Sequence, residues 1–112
     1  MVKSPVFKVK WADTAAIDLA AITDYIAADD VGAALLTLEK LEQTATRLTT
    51  MSLRGRIVPE LAAYGIQIYR ELIYPPWRII YRITGKVVNV LAVVDSRRNL
   101  EDLLLERFVR EA

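Results

Sequence analysis

Histidine and cysteine are both missing from this 112-residue chain. Without histidine no side chain ordinarily titrates near neutral pH, and the commonest metal ligand is gone. Without cysteine there is neither a disulfide framework nor thiol chemistry, which fits a reducing compartment. No apolar run approaches the roughly 20 residues of a membrane span. The opening stretch MVKSPVFKVKWA alternates and forms no apolar signal core. A cytoplasmic protein with no membrane association is expected. Charge of one sign is lacking too: fifteen basic residues against fourteen acidic ones leave +1. That is too little for a strongly nucleic-acid-binding surface overall, although local clusters remain open. No glycine-rich phosphate loop, metal-ligand cluster or nucleophile elbow is present, so NTP hydrolysis and metallohydrolysis are poor fits. No cofactor and no metal are expected.

What is abundant is apolar surface. Hydrophobic residues make up 54% of the chain, and the mean hydropathy is +0.24. Residues 1–112 fit one domain with one core. Either alanine inflates the scale, or some of this apolar surface meets a partner.

Phe7, Val9 and Trp11 alternate with Val6, Lys8 and Lys10, the pattern of a strand with one apolar face. Asp13 is placed to cap a helix. Ala15, Leu19, Ile22 and Ile26 then recur at spacings of four, three and four, a single buried stripe. A break falls at Asp29-Asp30, where Asp30 can cap a second helix. Ala34, Leu38, Leu41, Ala45 and Leu48 repeat the rhythm. Two such stripes across a tight turn predict an antiparallel helical hairpin. Residues 52–65, with Gly55, Pro59 and Gly65, read as a connector with at most one helical turn. Three strands follow, near 66–73, 77–84 and 86–94. Asn99 precedes a last short helix whose Leu100, Leu104 and Phe108 share a face. The fold class is α+β: a helical hairpin packed on one face of a curved, mainly antiparallel, four-stranded sheet, in the order β-α-α-β-β-β-α.

The stretch YRELIYPPWRIIYRI, residues 69–83, holds strand chemistry interrupted by three arginines. A turn of Tyr74-Pro75-Pro76 sets Ile73 opposite Trp77 and Tyr69 opposite Tyr81. Alternation then gathers Tyr69, Ile73, Trp77, Ile79, Tyr81 and Ile83 beneath the helices. Arg70, Leu72, Arg78, Ile80 and Arg82 share the other side. Guanidinium groups are almost never fully buried unless paired. That side is therefore either an ordinary wet sheet face, its arginines paired with Glu60, Glu71, Asp95 or Glu101, or a surface built to meet an anion or acidic partner. Arg97-Arg98 and Arg54-Gly55-Arg56 are placed to join the same rim. For RNA cleavage the proton-transfer candidates are Tyr81, Glu71, Asp95 or a lysine. Alternation sends Tyr81 and Glu71 to the helix side and leaves Asp95 best placed.

RGRIVPEL, YRELIYPPWRIIYRI and VVNVLAVVDSRRNLEDLL, following a first strand and DTAAIDLAAITDYIA, together resemble the RelE/ParE superfamily of type II toxin–antitoxin toxins. The resemblance spans nearly the whole chain. It implies a cytoplasmic toxin held inactive by a cognate antitoxin whose tail folds along it, with operator DNA bound only through that antitoxin. Ile17 and Leu36, off the core stripes, are the candidate antitoxin contacts, or else pack against the connector or sheet. The family divides between ribosome-dependent mRNA endoribonucleases and ParE-like inhibitors of DNA gyrase. Carried over by position, Arg70 and Arg78 match the basic residues of its sheet face, and Arg97-Arg98 its arginine pair after the last strand. With Arg82 they form the expected target-binding face. Asp95 stands where many members have histidine, and a nuclease here would rest on Arg70, Arg78 and Asp95. The balance of +1 fits ribosomal RNA poorly, so the ParE-like reading is preferred. A non-toxic relative that only binds antitoxin and autoregulates its operon is the remaining alternative.

Overall fold

The computed structural model describes residues 6–110, with side chains to Phe108. Strand β1 (Lys8–Trp11) leads into helices α1 (Asp13–Ala27) and α2 (Val31–Thr46), and a short 3-10 turn covers Arg47–Thr49. The connector holds a two-residue strand β2 (Arg56–Ile57) and one helical turn, α3 (Pro59–Ala62). Strands β3 (Tyr69–Tyr74), β4 (Trp77–Thr84) and β5 (Val87–Asp95) follow, then α4 (Leu100–Leu105), continued by a π turn over Glu106–Arg110. The sheet order is β1-β5-β4-β3-β2, with β1 parallel to β5 and every other pair antiparallel. The expected α+β architecture is therefore present with one strand more, because β2 lies in what reads as loop.

Most of both stripes of the helical hairpin buries as its spacing requires, with Leu19, Ile22, Ile26 and Leu38 half-buried. Ala15, Ala34, Leu41, Ala45 and Leu48 are inaccessible, and Leu19 and Ile22 pack beside them on Tyr81, Val88, Val90 and Ile79. Asp30 caps α2, accepting the Ala33 N–H at 3.0 Å. Asp13 does not cap α1. Ala12 occupies the cap position without a side-chain bond, and the Thr14 hydroxyl instead donates to the Leu91 carbonyl at 2.9 Å. That carbonyl belongs to a bulge in β5, where Ile80 pairs with Ala92 but Tyr81 pairs with Val90. Asn99 holds the cap position of α4, again without a side-chain bond.

The opposite face of the sheet is not bare. Val58, Leu61, Tyr69, Ile80, Ala92 and Val94 form a second core beneath Leu100, Leu104 and Phe108. The Tyr69 and Phe108 rings lie 4.7 Å apart. The last helix thus covers much of the surface that alternation left open to solvent. Among the described residues no helix is long and apolar enough to cross a membrane.

Candidate functional site

The β3–β4 hairpin turns on two residues, not three. Tyr74 pairs with Trp77, Ile73 with Arg78, Leu72 with Ile79, Arg70 with Tyr81 and Tyr69 with Arg82. This moves β3 by one residue against β4, and a one-residue slip exchanges the faces of every side chain on the strand. Arg70, Leu72 and Tyr74 join Trp77, Ile79 and Tyr81 on the side of the helical hairpin. Tyr69, Glu71 and Ile73 join Arg78, Ile80 and Arg82 on the other. The three hairpin arginines therefore do not share a face.

Arg78 is 5% exposed and Glu71 1%. Arg78 Nε donates to Glu71 Oε1 at 2.6 Å, while its two terminal nitrogens grip both oxygens of Glu60 at 2.6 and 2.7 Å. The other oxygen of Glu71 accepts from Arg56 Nε at 2.7 Å. Two cations and two anions alternate along a chain, Arg56–Glu71–Arg78–Glu60, that joins β2, β3, β4 and α3. The hydrogen bonds from Arg78 hold the Glu60 carboxyl below the ordinary carboxylate value, outweighing its burial. Glu60 in turn raises Arg78. An arginine so engaged cannot present its guanidinium to a target, which corrects the expected exposed placement of Arg78. Its burial follows from the pairing that makes a buried charge tolerable.

Arg70 is half-buried, and its Nη1 donates to the Gly55 carbonyl at 2.8 Å. The Tyr81 hydroxyl accepts the Gly55 N–H at 3.0 Å and donates to the Ser52 carbonyl at 2.7 Å. Burial pushes this phenol up. A Cβ on Gly55 would meet the Glu71 carbonyl oxygen and the Tyr81 hydroxyl, each at 2.5 Å. Only glycine fits there. With Gly55 pressed into the sheet, Arg54 and Arg56 turn outward and line, with Arg47, an open hollow of about 280 Å³. The sequence pattern RGR marked this pair; the contribution of Arg47 from the end of the second helix needed the fold.

Asp95 closes β5, and its carboxylate receives Arg97 through the backbone N–H at 2.9 Å and the guanidinium at 2.7 to 3.3 Å. Those contacts lower Asp95 to about 2. Asp95, Arg97 and Arg98 line a cleft of about 370 Å³ between α1 and α4, with Tyr25 and Trp77 as its aromatic walls. Arg107 spans this cleft to Asp18 at 2.7 Å, and Asp18 also accepts the Val93 N–H at 3.0 Å. The Arg97-Arg98 pair and the Arg54–Arg56 pair line separate hollows rather than one rim. Arg82 and Arg98 are exposed and have no acidic partner within salt-bridge distance among the described residues. Among the described residues the arginines left at the surface are thus Arg47, Arg54, Arg82 and Arg98, with Arg56 and Arg97 half-engaged.

On the helical layer Ile17 and Leu36 stand 67% and 55% exposed. Leu35, Val31 and Tyr25 are exposed beside them. Between α1 and α2 runs an open groove of about 470 Å³ floored by Trp11, Ala16, Leu19, Ala20 and Leu38.

Comparison with known proteins agrees with this fold. The fold is similar to that of the chromosomal ParDE toxin–antitoxin system of P. aeruginosa, at 24% identity and a TM-score of 0.66, over 80% of this chain and 96% of that one. It is also similar to a chain of the RelBE2 toxin–antitoxin complex of Mycobacterium tuberculosis, at 22% identity and a TM-score of 0.60, over 83% and 94%. The architecture is accordingly that of the RelE/ParE toxins. A search of curated proteins found no match. The profile of the ParE toxin of the type II toxin–antitoxin system parDE matches residues 9–100. The chain belongs to this family of toxins.

Proposed function

We propose that this protein arrests growth by ParE-like inhibition of DNA gyrase and is neutralised by a cognate antitoxin in the cytoplasm. The observation that carries the choice of target is that the acid and phenol candidates on the sheet, Glu71, Asp95 and Tyr81, each already have a structural task. Glu71 and Glu60 are locked to Arg78, and Asp95 is clamped by Arg97 well below the range of a useful base. The Tyr81 hydroxyl is spent between Ser52 and Gly55. Cleaving RNA needs a free acid and base beside the cations. Holding a protein target needs only an exposed charged surface, and Arg82, Arg98 and the Arg47–Arg54–Arg56 hollow supply it. The antitoxin's contact is assigned to the exposed apolar residues of the helical hairpin, Ile17 and Leu36 among them, with operator DNA reached only through the antitoxin.

Expression without the antitoxin tests this reading. DNA breaks, filamentation and inhibition of supercoiling by purified gyrase are expected. Cleaved transcripts on stalled ribosomes would replace gyrase by mRNA as the target. Normal growth would leave only antitoxin binding and autoregulation.

A further inference from the structure

The near-neutral total conceals two opposed charges. Residues 13–46, which build the helical hairpin, hold seven carboxylates and one lysine, a net of −6. The remaining residues hold fourteen basic and seven acidic side chains, a net of +7. Among the described residues only Asp18 of those seven carboxylates meets a cation, Arg107.

Three of the seven carboxylates border apolar surface. The groove floored by Trp11, Leu19 and Leu38 adjoins a second hollow of about 470 Å³ on α2, lined by Leu35, Glu39, Gln43 and Thr46. Leu38 and Glu42 line both. Asp24, Glu39 and Glu42 rim the pair, and no lysine or arginine lines either hollow. From Leu35 to Thr46 the trough runs three helical turns, about 16 Å. An uncharged apolar helix laid there would strip water from three carboxylates without replacing it, and an acidic one would be repelled. Only a segment that is apolar on one side and cationic at its flanks satisfies both floor and rim.

We infer that this trough takes a basic amphipathic helix of about three turns, its leucine-like side chains over Trp11 and Leu38 and its lysines or arginines against Asp24, Glu39 and Glu42. The inference rests on the antitoxin reading above in assigning that helix to the antitoxin. It adds the sign of the charge: the segment over the hairpin is positive, opposite to what the arginine surface attracts.

Trp11 provides the readout, with the full-length chain carrying Trp77→Phe so that it is the sole tryptophan. Two synthetic helices of about fourteen residues, one leucine–lysine and one leucine–glutamate in the same pattern, are titrated against its emission. The lysine peptide binds about tenfold or more tightly than the glutamate peptide, the gain expected of a few rim ion pairs, and weakens as salt rises. The combined variant Asp24→Asn, Glu39→Gln, Glu42→Gln loses most of that preference, and Leu38→Asp loses the Trp11 response. Glu39→Lys alone serves if the triple variant does not fold. Equal binding of the two peptides, or a preference that survives neutralising the rim, overturns the inference. The adjacent reading frame's protein separates the two readings. Binding that ignores the rim variants sinks the charged trough and leaves the antitoxin reading intact. No binding, with the peptide preference present, does the reverse.

Discussion

Arg78 lies diagonally across the β3–β4 hairpin from Glu71, with Nε and Oε1 2.6 Å apart and both side chains out of water. This contact, extended to Glu60 and Arg56, ties the connector to the sheet. It makes the most basic-looking part of the sequence a piece of the interior.

Replacing Arg78 with methionine therefore destabilises the protein by about 3–5 kcal/mol, because Glu60 and Glu71 lose their main partner in a dry site. Denaturant unfolding reads this directly. Toxicity and antitoxin binding fall together, as for a structural residue. An unchanged unfolding midpoint with lost toxicity would return Arg78 to the target surface.

At Gly55 an added methyl group collides with backbone and phenol, so Gly55→Ala costs about 1–3 kcal/mol through overpacking. Tyr81→Phe leaves the Gly55 N–H and the Ser52 carbonyl without their partner, at about 1–3 kcal/mol. Because both act on one cluster, the double variant costs less than the sum, and a double-mutant cycle measures the difference.

Acid acts on the same network. The Glu60 carboxyl is depressed in the folded state, so its stabilisation is complete above its ordinary value of 4.5 and is lost as pH falls through its folded value. Glu60→Gln is accordingly less stable than the natural chain at pH 7, and the gap in Tm closes below about 4.5. The Asp95–Arg97 pair persists further, giving way only between 3.8 and about 2.

Arg82→Glu and Arg98→Glu change stability by no more than about 0.5 kcal/mol, as expected of exposed side chains. If these residues meet gyrase, each weakens inhibition in a supercoiling assay by about tenfold. With the antitoxin on the helical layer, as proposed, its affinity is unchanged by either substitution.

Much of the fold was legible because it rests on local periodicity. The stripes Ala15–Leu19–Ile22 and Ala34–Leu41–Ala45 needed only their spacing, and the cap at Asp30 only its place before α2. The hairpin register was not legible at this level, since Pro75 and Pro76 alone form the turn, and including Tyr74 shifted β3 by one. That single step placed Arg70 with Arg78 when they lie on opposite faces. Burial of Arg78 depends on Glu60, which reaches it across 18 residues of chain. Glu60 and Glu71 could be named from sequence as candidate partners, but which arginine they grip, and that the pairing is buried, needed the fold. The segregation of charge between residues 13–46 and the rest was plain in the sequence, but the overall balance of +1 masked it.

The surplus residue at Leu91 has its own consequence. Val88 and Val90 before it, and Val93 after it, all reach the hairpin-side core, so β5 would alternate without interruption if Leu91 were absent. What the extra residue supplies is a carbonyl pushed out of the ladder to receive Thr14, at a helix start that has no cap of its own. The kink acts as a peg on which the first helix hangs. Shortening the strand by that one residue would preserve the alternation of the sheet yet take away one of the polar ties that hold the layer carrying the acidic trough.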